Sequence, residues 1–93
     1  MRTIERSTAF KKDFKREFKG KYQKVLNDDL LAVLVVLAND GVLDVKYRDH
    51  ELTGEWITYR ECHIKPNLLL IYCKMEENSL RLARLGSHSA LFG

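Results

Sequence analysis

Long apolar runs are missing from this 93-residue chain. The longest, residues 30–38, falls well short of the roughly 20 residues that cross a bilayer, which excludes a membrane-spanning helix. The start of the chain is basic and polar with no apolar signal region, so a cytoplasmic location is expected. Proline occurs once, at Pro66, and glycine five times, which leaves no linker, repeat or low-complexity tract. Two cysteines are too few for a disulfide scaffold. In a hairpin turning at 65–67, Cys62 would face a residue near Leu70 and not Cys73, so both read as buried thiols acting as small hydrophobes. Histidine occurs three times, and no pair has the close spacing common in metal sites. No metal or other cofactor is expected.

The length suits one domain with one modest core, residues 1–93. An apolar fraction of 45% and a charged fraction of 31% belong to an ordinary globule. The net charge of +3 hides an asymmetry. Residues 1–24 carry nine basic groups against three acidic ones, whereas the remainder carries seven against ten. Such a segment suits a polyanion or an acidic partner, and a solvated helix face is the plainer alternative.

A short strand over 2–6 is followed by Ser7, a candidate N-cap, and by Phe10, Phe14 and Phe18 at a helical period of four. That stripe reads as core packing, with Lys11, Lys12, Lys15, Arg16 and Lys19 on the remaining surface. A second helix is predicted over 22–38, broad enough in its apolar stripe to be covered on more than one side. Gly41 is expected to take positive φ at its end. Residues 42–55 read as an irregular, functional loop. Strands are predicted over 56–64, 68–75 and 79–85, the middle one buried on both faces. The expected class is α+β: a small antiparallel sheet with two N-terminal helices packed on it, in the order βααβββ.

All three histidines fall at or beside predicted strand ends. RNA cleavage without a metal needs a base for the 2′-hydroxyl, cations for the phosphorane and an acid for the leaving 5′-oxygen. His50, His63 and His88, with Arg60 and Arg84, supply those residue types. Taken singly, each has a plainer reading. His63 can be a half-buried strand residue, His50 loop surface, His88 a tail, and Arg60 a structural ion-pair partner. Spacing alone leaves those alternatives open.

The strings Asp49-His50-Glu51-Leu52-Thr53-Gly54-Glu55-Trp56, Tyr59-Arg60-Glu61-Cys62-His63-Ile64-Lys65-Pro66, Leu69-Leu70-Ile71-Tyr72 and Arg84-Leu85-Gly86-Ser87-His88-Ser89-Ala90-Leu91-Phe92 resemble the YafQ branch of the RelE/ParE toxin superfamily. The resemblance covers the chain from about Tyr47 onward, with the N-terminal helices agreeing in pattern only. It implies a RelE-like ribonuclease fold and a bacterial type II toxin that cuts mRNA in the ribosomal A site. It implies a cognate antitoxin as partner, with operator DNA reached only through that antitoxin, and no membrane. Carried over, the family's site matches His50, His63, His88 and Phe92, with Arg84 as the phosphate-stabilising cation. His50 or His63 would be the base and His88 the acid. Phe92 would stack on a base. Lys11, Lys12, Lys15, Arg16 and Lys19, with Arg60, would contact ribosomal RNA. A ParE-like topoisomerase inhibitor, without a nuclease site, is the competing expectation.

One position departs from the pattern. Asn67 stands where the family has an aspartate after the proline. An amide has nearly the carboxylate's shape but accepts no proton at neutral pH. If that carboxylate serves the reaction, this chain is attenuated.

Overall fold

The computed structural model describes residues 1–93 apart from the Val25 side chain. Strand β1 (Thr3–Arg6) leads into helix α1 (Thr8–Phe18). A helical path over 23–38 follows: α2 (Gln23–Val25), a π-helical turn (Leu26–Leu30) and α3 (Leu31–Ala38). Strands β2 (His50–Glu51), β3 (Arg60–Lys65), β4 (Leu68–Met75) and β5 (Ser79–Gly86) precede a closing helix, α4 (His88–Phe92). They form one five-stranded sheet in the order β1-β5-β4-β3-β2.

The α+β class holds, but the sheet is mixed: β1 runs parallel to β5, Thr3 opposite Ser79 through Arg6 opposite Leu82. Hairpin turns impose antiparallel pairing on β3, β4 and β5. The first strand has no hairpin partner, and its connection passes through both helices, the route a parallel pair requires. The extra strand β2 is only two residues long, too short to register as a strand pattern. The strand expected from 56 starts at Arg60, because Gly54–Trp56 forms a 3₁₀ turn. The segment for which a tail is the plainer alternative is a short helix, capped where Ser87 Oγ accepts from Ala90 N–H at 3.1 Å.

Ser7 caps α1 by accepting from Phe10 N–H at 2.9 Å, and its hydroxyl donates to Ala83 O at 2.7 Å. Beyond Leu82, β5 loses β1 as a neighbour, and α1 takes over its free edge. Asp13 Oδ2 accepts from Leu85 N–H at 3.0 Å, and Arg16 Nη2 donates to Leu85 O at 2.9 Å. Phe10 is buried, Phe14 packs partly against the core and Phe18 is 37% exposed, so the phenylalanine stripe grades from core to surface.

Leu26, Leu30, Val33 and Leu37 point into a core shared with Cys62, Leu70, Tyr72, Leu80, Leu82 and Leu85. Leu31 and Val35 are exposed, so the second helical path is covered on one side, not several. Its stripe is wide because of composition, not contact. Positive φ falls on Asp40 (59°) and not on Gly41. Gly41 is needed for close approach, since a Cβ there would lie 3.1 Å from Val36 Cγ1 and 3.3 Å from its carbonyl oxygen. Residues 68–72 are all buried, as a central strand requires. Cys62 faces Leu70 in the ladder, and both thiols are free. Cys73 is half-buried rather than buried, with Sγ 3.2 Å from Thr58 O, because it sits where β4 leaves the covered part of the sheet.

Candidate active site

Alternation along β3 sends Cys62 and Ile64 into the core and turns Glu61 and His63 to the opposite face. Pairing with β2 places His50 directly opposite Glu61. The segment carrying His50 is fixed from behind. Tyr72 Oη donates to Asp49 Oδ1, and the Arg60 guanidinium grips the same carboxylate at 3.3 and 3.1 Å. Burial and the adjacent Asp49 push the Tyr72 hydroxyl pKa well above its ordinary value, so it remains a donor. A 3₁₀ turn, Val45–Tyr47, is capped by Asp44 and ends in Arg48, held in the left-handed region at φ 50°. That conformation aims the Arg48 carbonyl at the His50 ring, 2.6 Å from Nδ1.

Glu61 is the residue the sequence reading missed. It is 5% exposed and stands between two imidazoles. Its Oε2 lies 3.2 Å from His50 Nε2 and its Oε1 lies 3.8 Å from His63 Nε2. The ring centroids are 6.4 Å apart. On the far side of each ring, Nδ1 meets a backbone carbonyl, Arg48 O for His50 and Pro66 O at 3.3 Å for His63. A carbonyl only accepts, so each Nδ1 carries hydrogen. The contact between His50 Nε2 and Glu61 then needs one further proton, on the ring or on the carboxylate. The geometry thus sets a carboxylate oxygen and an imidazole nitrogen at the distance of a shared proton. The available signal was period two: a glutamate two residues before His63 in a strand must share its face.

His88 opens α4, and its ring lies 5.1 Å from that of Phe92, one turn on. Asn67 Oδ1 accepts from His88 N–H at 3.3 Å, tying the β3–β4 turn to the start of α4. Glu61, His88 and Phe92 border one cleft of about 410 Å³, whose other wall is Leu52–Trp56. The structure thus brings His50, His63, Asn67, His88 and Phe92 into one neighbourhood around Glu61.

Arg84 stands two strands from Glu61, in the row Glu61–Ile71–Arg84, about 10 Å at ordinary strand spacing. Its guanidinium is held by Asp13 at 2.7 and 3.2 Å. Burial of Asp13 would raise its carboxyl, but hydrogen bonds from Arg84 and Leu85 N–H and the nearby Arg16 charge outweigh that and leave it below the ordinary carboxylate value. Arg16 is likewise engaged by Asp13, Glu17 and Leu85 O. Arg60 is engaged by Asp49 and, at 3.6 Å, by Glu51. Lys11, Lys12 and Lys15 are exposed on α1, and Lys19 is exposed at its C-cap. Among the described residues, no group of three His, Cys, Asp or Glu is placed to hold a metal ion.

Residues 2–93 match a family model described as a bacterial toxin of type II toxin–antitoxin systems, YafQ. The mRNA interferase toxin YafQ of Escherichia coli K12 is 38% identical over 92 residues, covering 99% of this chain and 97% of that protein. A crystal structure of a metal-bound toxin from Helicobacter pylori superposes with a TM-score of 0.90 at 47% identity, covering 99% of this chain and all of that one. The toxin fold in the Escherichia coli DinJ–YafQ complex superposes at 0.84 with 38% identity, covering both chains fully.

Proposed function

This chain belongs to the YafQ family of type II toxins, and from that premise we propose that it is an endoribonuclease cutting mRNA in the ribosomal A site. The observation that carries the reading is the buried carboxylate between two imidazoles at the edge of a cleft that also holds His88 and Phe92.

The chemistry assigned is attack of a 2′-hydroxyl on the adjacent phosphorus. The O2′–P bond forms, the P–O5′ bond breaks, and a 2′,3′-cyclic phosphate and a free 5′-hydroxyl result. A base needs a lone pair. With Nδ1–H directed to Pro66 O, His63 has its lone pair on Nε2, and its 3.8 Å separation from Glu61 leaves that nitrogen free to swing to substrate. Glu61 then faces the imidazolium that forms. His50, held on both nitrogens, is assigned to positioning Glu61. His88 donates the proton to the departing 5′-oxygen, and Phe92 stacks against a base beside it. Arg84 contributes positive charge to the dianionic phosphorane, and reaches it only by leaving or rotating about Asp13.

Free RNA is a poor substrate on this reading, because so open a cleft needs the ribosome to hold the message in line. The α1 lysines grip ribosomal RNA electrostatically. A cognate antitoxin is the assigned protein partner, as DinJ is for its YafQ toxin, and operator DNA is reached through it. Asn67 makes the amide equivalent of a carboxylate contact at His88 N–H, so an aspartate fits the same place and adds a proton acceptor. The test is primer-extension mapping on programmed ribosomes with this chain, Asn67→Asp and His88→Ala. Cleavage by the first two, faster with aspartate and lost with His88→Ala, is expected. If no form cuts, the nuclease reading fails.

A further inference from the structure

A second cavity, of about 330 Å³, lies along β3 beside the cleft and shares no lining residue with it. Glu61 borders the cleft and His63 borders the second cavity, so the pair Glu61 and His63 stands on the boundary between them. The two differ in chemistry. The cleft is walled by Trp56 and Phe92, whereas the second cavity is lined by Lys46, Arg48, Lys65 and Asp29 around His63. Lys65 and Asp29 neutralise each other at 2.7 Å. Lys46 and Arg48 form no salt bridge among the described residues; Lys46 Nζ rests only over the Tyr47 ring, 5.2 Å from its centroid. Two uncompensated cations therefore face a concave space next to a candidate general base.

Their placement is not loose. Asp44 Oδ1 accepts from Lys46 N–H at 2.9 Å, and the carbonyl of Arg48 is the acceptor for His50 Nδ1. The same short turn thus sets the histidine ring and the two cations. A single strand crossing the histidine pair has an aromatic wall on one side and a cationic pocket on the other, which matches a base on one side and a backbone phosphate on the other.

We propose that the second cavity is a phosphate subsite, in which Lys46 and Arg48 hold the phosphodiester next to the scissile one. This inference rests on the nuclease reading above. It makes Lys46 and Arg48 binding residues that fix the register of the message over His63.

The experiment is single-turnover cleavage on ribosomes programmed with messages carrying a neutral methylphosphonate at the linkage on either side of the scissile bond. The proteins are the Asn67→Asp form with and without Lys46→Gln or Arg48→Asn; asparagine tolerates the left-handed backbone that position 48 requires. In the parent, one neutral linkage is expected to slow cleavage about tenfold, the loss of a charge-assisted contact. In the variants, cleavage of the ordinary message is slow by a similar factor and the neutral linkage costs nothing more. Additive losses, or none from either change, overturn the subsite while leaving the nuclease standing. No cleavage of the ordinary message by the parent removes the nuclease premise and the subsite with it.

Discussion

Glu61→Gln separates the structure of the histidine pair from its chemistry. The amide has the carboxylate's shape, and its nitrogen at the Oε2 position would meet His50 Nε2 at the present 3.2 Å. Because Nδ1 of His50 already donates to Arg48 O, its neutral ring offers Nε2 a lone pair, and the new N–H can donate to it. The substitution thus exchanges a contact that needs an extra proton for one that does not. One charge-assisted hydrogen bond becomes a neutral one, so stability should change by no more than about 1 kcal/mol. What disappears is the negative charge facing the imidazolium formed during proton abstraction. A general base stripped of that support should lose about 10²-fold in rate, near the lower end of what proton transfer contributes. Two assays run together decide the matter: single-turnover cleavage on programmed ribosomes in the Asn67→Asp background, and ¹⁵N NMR of the imidazoles. The spectra should move His50 to a single Nδ1–H tautomer. An undiminished cleavage rate alongside that spectral change would refute the role given to Glu61, and an unchanged spectrum would refute the proton accounting.

Asp13 has a depressed carboxyl, so the stability it confers is complete above the unfolded value near 4 and drains away as pH falls through the lower folded value. Asp13→Asn should flatten the acid limb of the urea midpoint against pH and cost about 1–3 kcal/mol at pH 7; an unchanged limb would contradict the assignment. Replacing Lys11, Lys12, Lys15 and Lys19 with glutamine should weaken ribosome association at every codon and lower its dependence on salt, measured by sedimentation across ionic strength; an unaltered salt slope would assign α1 to another surface. Burial, reinforced by the nearby Asp49 and Glu61 carboxylates, pushes the Cys62 thiol pKa far up, so a thiol reagent at pH 8 should label Cys73 first and Cys62 only on unfolding. Labelling of Cys62 in the native protein at a rate near that of Cys73 would mean the core under β3 opens.

Much of the arrangement was legible because it follows local rules. The uninterrupted Leu68–Tyr72 run announced a strand buried on both faces, and Ser7 with the period-four phenylalanines announced α1. The Pro66-Asn67 turn set the β3–β4 pairing closely enough to place Cys62 against Leu70. What escaped were facts of pairing between distant segments. Nothing in Thr3–Arg6 says that it will run parallel to β5, and nothing in His50-Glu51 says that a loop will close onto β3. Arg84 looked like a free cation because its partner, Asp13, lies 71 residues earlier, on the buried side of a helix whose exposed surface is rich in lysine. Glu61 was overlooked for a different reason: its position on the face of His63 was calculable, but its value depends on β2 bringing His50 across from it.

Asp13, Asp49 and Glu61 are all tied to side-chain partners, and those partners divide their work. Asp13 is matched with the guanidinium groups of Arg84 and Arg16, and Asp49 with Arg60 and the Tyr72 hydroxyl. A guanidinium does not surrender its proton in a protein, and the Tyr72 hydroxyl holds its own more tightly than usual, so those two clusters keep a fixed proton count near neutral pH. Both serve placement: Asp13 fixes α1 along the free edge of β5, and Asp49 fixes the turn that carries Lys46, Arg48 and His50. Of the three, Glu61 alone faces imidazoles. That carboxylate also borders the cleft, as Glu55 does on the opposite wall. The same sequence that locks Arg16, Arg60 and Arg84 into ion pairs with carboxylates sets His50 and His63 against a carboxylate of their own, so the proposed acid–base chemistry falls to the imidazoles and not to the guanidinium groups.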